Sequence, residues 1–311
     1  MAEDHDRTAS LMTPAKLAQA QSRPREAVSP AAWLDQMASD AGHAHVRRLG
    51  ELRELMQTQA KTRDFSEVAA GLAQLAEALP RLDFNLLQAR GWWARTTGKS
   101  RSAGAEFAGQ FEHIEQIATD IAARAQAAQK RQQEQSNTAD LSLLELEVEY
   151  RAIDKIIDQG ARWLQDMRNQ LKTRQAEAGG DAQTQQAIRD DAARCEILVA
   201  RLKLLRGVSS ASQQAHSQAQ AATARRQALL QMLQQTLAAG MKSWRSRIST
   251  VAAAAGDSSS PALSLEGPME AHRELQLAVK QAIADCGQLQ LAENAVEESL
   301  AALSTQLEPA R

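Results

Sequence analysis

The chain has 311 residues and a net charge of −2, and its 43% hydrophobic content comes mostly from Ala and Leu, with aromatic residues at only 3%. That near-neutral balance supplies no general attraction to nucleic acid or to anionic membranes. Gly (15) and Pro (7) are few, and Ala, Leu, Gln, Glu, Arg and Lys are all good helix formers, so the composition favours long helices over sheets.

No stretch approaches the roughly 18 apolar residues of a membrane-spanning helix. The first residues lack a basic segment followed by an apolar one, so no signal peptide is expected and the predicted location is cytoplasmic. Cys195 and Cys286 occupy apolar positions of separate predicted helices and match no metal or redox spacing. Both are read as small buried hydrophobes.

Residues 1–28 mix charges, Ser, Thr, Pro and Gln without periodicity and are expected to form a disordered tail. Residues 29–99 are predicted to hold short helices. Ser29-Pro30 is a helix start, leading to Trp33, Leu34 and Met37, with an interruption expected at Gly42. Val46, Leu49, Leu52, Leu55 and Met56 then follow. Asp64 caps a helix bearing Val68, Leu72, Leu75 and Leu79, which Pro80 ends. Leu82-Asp83-Phe84-Asn85-Leu86-Leu87 runs into Gly91-Trp92-Trp93, with a turn around Thr96-Thr97-Gly98.

Residues 100–255 are predicted to be a core of long helices. Phe107, Phe111, Ile114, Ile117 and Ile121 step by four and three, as a seam facing a partner helix does. This helix is expected to weaken at Ser136-Asn137-Thr138. Leu144-Glu145-Leu146-Glu147-Val148-Glu149 alternates with period two and reads locally as a strand. No second strand is available to pair with it, and Ile153, Ile157, Leu164, Met167 and Leu171 resume helical stepping, so the segment is assigned to a helix. Gly179-Gly180-Asp181 closes an antiparallel hairpin. The return helix carries Ile188, Cys195, Leu198, Leu202 and Leu205, with a kink expected near Gly207 and Ser209-Ser210, and its stripe resumes from Leu230 to Val251. Residues 256–267 are a Gly- and Ser-rich linker, and 268–311 a last helix. The predicted fold is all-α: an elongated bundle of long antiparallel coiled-coil-like helices.

From Ile197 through Gly256 there is no acidic residue, whereas Asp140 to Asp158 is acid-rich. The hairpin is expected to bring Arg225 to Arg247 beside residues near 145, so that opposite charges set the register. The other reading is an exposed basic face that meets phosphate or an anionic surface.

Few residues suggest chemistry. Thr97-Gly98-Lys99-Ser100 ends like a phosphate-binding loop, but Gly91 stands too far upstream and no strand precedes it. His43 and His45 do not share a helical face, and no ligand set completes them. His113, His216 and His272 are scattered, and Glu147 and Glu149 are read as solvated. No catalytic, metal or cofactor-binding residue is therefore predicted, and nucleic-acid binding is not expected. The candidate contact patch is Arg90, Trp92, Trp93 and Arg95 with Lys99 and Arg101. It suits the end of a bundle, a membrane interface or a protein partner, where Trp and Arg are at home.

Residues of about 79–250 resemble the toxic anion resistance family, the tellurite-resistance proteins of bacteria. The resemblance rests on Leu82-Asp83-Phe84-Asn85-Leu86-Leu87 leading to Gly91-Trp92-Trp93, on Phe107-Ala108-Gly109-Gln110-Phe111-Glu112-His113-Ile114, and on Leu202-Lys203-Leu204-Leu205-Arg206-Gly207-Val208-Ser209. The chain departs from the family in lacking its Tyr-rich positions and the Thr-rich run after the Gly-Val pair. The resemblance implies a cytoplasmic stress-response protein without catalytic residues, and carries over no binding site. The expected function is that of a non-enzymatic interaction protein that contacts other proteins or itself through helical seams. The alternative is a peripheral membrane scaffold using the Trp/Arg patch and the basic helix face.

Overall fold

A computed structural model describes residues 41–61, 64–88, 99–256 and 264–310. Among the described residues every regular element is helical. In chain order these are α1 (His43–Lys61), α2 (Ser66–Ala78), a 3-10 turn (Leu79–Arg81), α3 (Asn85–Gln88), α4 (Lys99–Glu177) and α5 (Ala182–Gln231). A π-helical segment (Met232–Leu237), α6 (Ala238–Gly256), α7 (Glu266–Leu307) and a 3-10 turn (Glu308–Ala310) follow. No helix among the described residues is long and apolar enough to cross a membrane. The tail at 1–28 and the helix carrying Trp33, Leu34 and Met37 lie outside the described residues.

Local signals set most of the boundaries. The α1 helix starts after Gly42, whose φ of 73° suits a residue without Cβ. Asp64 accepts from the Ser66 backbone N–H at 2.7 Å and from its hydroxyl at 2.7 Å, which opens α2 and holds the carboxyl below its ordinary range. Asp83 does the same for the Asn85 N–H at 2.9 Å, so the Leu/Phe segment forms the short helix α3. Gly179 and Gly180, with φ of 52° and 106°, turn the chain between α4 and α5. Asp181 then caps α5 by accepting from the Thr184 N–H at 3.0 Å. Pro268 falls in the first turn of α7, where its missing N–H breaks no helical bond.

Neither of two expected irregularities interrupts its helix. Helix α4 runs through Ser136-Asn137-Thr138 without interruption, and Ser136 turns its hydroxyl back to the Gln133 carbonyl at 3.1 Å. The α5 helix likewise continues through Gly207 to Ser210: Val208 and Ser209 are buried, and Ser212 bonds the Val208 carbonyl at 2.8 Å. The irregularity lies further on, at Met232–Leu237, where the helix widens to a π turn that keeps Leu233 and Leu237 inside.

The described residues form two compact units, and α4, α5 and α7 contribute to both. The first takes its residues from 41–58, 139–219 and 295–310. Its core includes Val46, Leu49 and Leu52 of α1, Leu146, Ile153 and Ile157 of α4, Leu198, Leu202 and Leu205 of α5, and Leu300 and Leu303 of α7. Residues at similar separations from residue 182, just past the Gly179-Gly180 turn, face each other across α4 and α5. Arg174 meets Asp191 at 2.7 Å, Arg168 meets Glu196 at 3.3 Å, and Ser209 donates to Asp154 at 2.5 Å. The helices approach closely at Gly160, where an added Cβ would stand 2.8 Å from both Leu202 methyl groups. The α1 helix runs antiparallel to α4, with His45 Nδ1 at 2.6 Å from Glu149 and Arg48 on Glu145.

The second unit takes its residues from 59–138 and 220–294. Its core joins Leu72 and Leu75 of α2, Phe84 and Leu87 around α3, Phe107, Phe111, Ile114 and Ile121 of α4, Trp244 and Ile248 of α6, and Leu275 and Val279 of α7. Phe111 packs on Trp244 with ring centroids 5.2 Å apart, and Phe84 meets Phe107 edge-on at 5.6 Å. The predicted seam from Phe107 to Ile121 is therefore the buried face of α4 in this unit, with Ile117 packed at its margin.

Candidate interaction surface

Of the predicted contact patch, Arg90, Trp92, Trp93 and Arg95 lie outside the described residues. Lys99 and Arg101 belong to the first turn of α4. Of the motif resembling a phosphate loop, Thr97 and Gly98 also lie outside, and Lys99-Ser100 start a helix. His45 is engaged by Glu149, while His43 is exposed. Among the described residues no group of three His, Cys, Asp or Glu side chains is placed to hold a metal ion. Cys195 and Cys286 are both free and buried, and burial raises both thiols, that of Cys286 to about 11.

The acidic and basic stretches do not pair as expected. Glu145 and Glu149 are met by Arg48 and His45 of α1, and Glu147 by Arg151 and by His216 at 3.9 Å. Arg225 to Arg247 belong to the other unit, where Arg245 reaches Glu115 at 2.7 Å and Thr119 at 3.0 Å. Arg225 donates to Gln288 at 3.0 Å, and Arg247 to the Gly267 carbonyl at 3.2 Å. The reason is geometric. Both arms of a helical hairpin rise equally per residue, and the pairs between α4 and α5 centre near residue 182, so the position beside Glu147 falls close to His216 and well short of Arg225. Each of these arginines has an intramolecular partner.

Three buried polar groups were not singled out by pattern. Arg226 is 1% exposed; Nη2 is bonded to Glu293, while Nε and Nη1 have no hydrogen-bond partner. Arg201 is half-buried; its Nε donates to the Ala41 carbonyl at 3.1 Å and its Nη1 to the Ala310 carbonyl at 2.6 Å, joining the turn before α1 to the 3-10 turn after α7. His272 accepts from Trp244 Nε1 at 3.2 Å, lies edge-on to Phe84, and is held neutral by burial, against a smaller opposing bond with the Leu79 backbone. These groups fix packing.

The surface is informative instead for what it leaves uncovered. Leu141, Leu144 and Val148 are 60%, 57% and 50% exposed, and their spacing of three and four sets them in one row on α4. Ile197 on α5 and Leu277 and Leu291 on α7 are also outward. A single exposed apolar side chain needs no explanation, but three in a row on a regular helix do. The alternation Leu144-Glu145-Leu146-Glu147-Val148 is the sequence signal for this row. At about 100° per residue, positions two apart fall on opposite sides of a helix, so Leu146 goes inward at 0% exposure while Leu144 and Val148 go outward.

No family model, curated protein or solved structure matches the chain. The residues that carry the resemblance to toxic anion resistance proteins are mainly packing residues here. Leu82, Phe84, Leu87, Phe107, Phe111 and Ile114 are buried in the second unit, and Leu202, Leu205 and Val208 in the first.

Proposed function

We propose that the chain is a non-enzymatic helical interaction protein that presents apolar rows of its long helices to protein partners. The observation that carries this reading is the row Leu141, Leu144 and Val148. Each of these side chains leaves apolar surface in water that a partner helix would remove, at about 25 cal/mol per Å². The buried charges and histidines are engaged in packing, which leaves this row as the strongest candidate for function. The resemblance of residues 79–250 to the toxic anion resistance family supports a cytoplasmic role in bacterial stress response.

The test is a triple variant, Leu141→Gln, Leu144→Gln and Val148→Gln, expressed in a bacterial host challenged with tellurite. The reading expects the native chain to raise tolerance and the variant to lose that effect while its unfolding midpoint stays unchanged. A variant as protective as the native chain would remove the role of the row. Absence of protection by the native chain would remove the stress-response setting.

A further inference from the structure

We propose that the outward face of α4 in the first unit receives an amphipathic helix of another protein, acidic at its N-terminal end and running antiparallel to α4. The inference rests on the interaction reading above and names the chemistry of the partner. Every residue it uses belongs to 41–58 or 139–219, inside one compact unit. The face begins apolar. Leu141, Leu144 and Val148 form the exposed row, and Leu55 of α1, 42% exposed, widens its start. Leu55 stands two turns beyond Arg48 on the same side of α1, and Arg48 reaches Glu145 of α4, so Leu55 comes beside the beginning of the row.

Beyond Val148 the same line turns basic. Arg151 and Lys155 continue the steps of three and four, and both are exposed. Arg206 of α5, also exposed, joins them: it lies two turns before Gln213 on the same side of α5, and Gln213 bonds Asp154 at the edge of this face. The α5 helix has no acidic residue from Ile197 to Ala219. Of the carboxylates nearby, Asp154 is held by Ser209 and Gln213, and Asp158 is one against three cations. Arg151 pairs with Glu147 one turn back, an exposed pair that contributes little and leaves the guanidinium open to a second carboxylate.

The two ends of the face identify the occupant. A matching partner sets carboxylates on the basic end and a cation on the other end, where Asp140 is exposed. Helices carry acidic residues most favourably in their first turns and basic ones in their last. The partner's N-terminal end therefore lies on Arg151, Lys155 and Arg206, its apolar stripe covers the leucines, and its C-terminal end reaches Asp140. A lipid bilayer fits this face less well, because the apolar end lies among Asp140, Glu145, Glu147 and Glu149, which an anionic surface repels. From Leu141 to Lys155 the rise is about 21 Å, so the contact is about four turns long. Such a contact is far below a standard interface, and the dissociation constant is on the order of 100 μM.

Fluorescence anisotropy of the full chain with two labelled helical peptides tests the assignment. Each is about 18 residues long, is locked by a staple on its outer face, and carries Leu at steps of three and four. The forward peptide has Glu in its first turns and Lys in its last; the reverse peptide exchanges the two. The wild type is expected to bind the forward peptide about tenfold more tightly than the reverse, with the difference shrinking as salt is added. Leu144→Glu is expected to lose binding with an unchanged circular dichroism spectrum, because its side chain is outside the core. Lys155→Glu with Arg206→Glu is expected to invert the preference. No binding of the forward peptide by the wild type, equal binding of the two peptides, or an uninverted preference in the charge variant would each overturn the proposal. Binding of the wild type to phosphatidylserine vesicles that Leu144→Glu abolishes would also overturn it, by assigning the row to a membrane. If neither peptide binds yet the triple glutamine variant loses protection in cells, the assigned partner chemistry fails while the interaction reading stands.

Discussion

Trp244, His272 and Phe84 show how a polar group is made part of an apolar core. Trp244 is 0% exposed, and its indole N–H, which cannot be left unpaired there, donates to His272. The imidazole must therefore stay an acceptor, and burial holds it neutral by lowering its affinity for a proton below the ordinary value of 6.5. His216 is pushed the same way by burial, with Glu147 opposing. The unfolded chain thus binds more protons than the native one as pH falls below about 6.5. Stability is complete above that value and declines progressively below it. Urea unfolding across this range should show the decline, and His272→Gln should make it shallower; an unchanged slope in that variant would mean that His272 does not titrate on unfolding. Arg226 makes a second case. Its buried guanidinium has Glu293 on one nitrogen and no partner on the other two. Removing only one member of such a pair strands the other, so Arg226→Ala should cost about 3–5 kcal/mol in chemical denaturation. Arg226→Met with Glu293→Leu should cost clearly less, since it removes both charges while keeping volume.

At the scale of the element, α4 is the informative helix because its two sides do different things. Leu146 is fully buried and Leu144, two residues earlier, is 57% exposed. Leu146→Ala should therefore destabilise by about 2–5 kcal/mol, whereas Leu144→Ala should stay within about 0.5 kcal/mol in dilute solution. Equal losses at the two positions would contradict the assigned faces. The helices themselves were legible from residue pattern: the Phe107 to Ile121 stripe, the Gly179-Gly180 turn and the starts at Asp64 and Gly267-Pro268 all lie where their chemistry puts them. The helices continue through Ser136-Asn137-Thr138, where weakening was expected, and through Gly207 and Ser209-Ser210, where a kink was expected, because polar and small residues lower helix propensity only slightly and packing of the flanking turns outweighs that loss. The outward seam was hidden in the sequence by the same alternation that suggested a strand. Only once α1 and α5 are seen to cover one side of α4 does the period-two segment divide into a core leucine and an exposed row.

For the whole molecule, the functional reading depends on which face of α4 the rest of each unit covers, and in the first unit that is settled by the register between α4 and α5. The buried polar pairs could not be anticipated from spacing alone, since Arg226 with Glu293, Arg201 with Ala310 and Trp244 with His272 are brought together only by the fold. The register is measured directly by pulsed electron paramagnetic resonance on full-length chain with Cys195 and Cys286 replaced by Ala and spin labels at introduced cysteines. Labels at Arg168 and Glu196, exposed side chains in contact at 3.3 Å, are predicted to give a short distance. Moving the second label from Glu196 to Gln213 should lengthen it to about 25 Å or more, because Gln213 pairs with Asp154 further down α4. Equal distances from Arg168 to both sites, or a shorter one to Gln213, would contradict the register and with it the outward placement of Leu141, Leu144 and Val148.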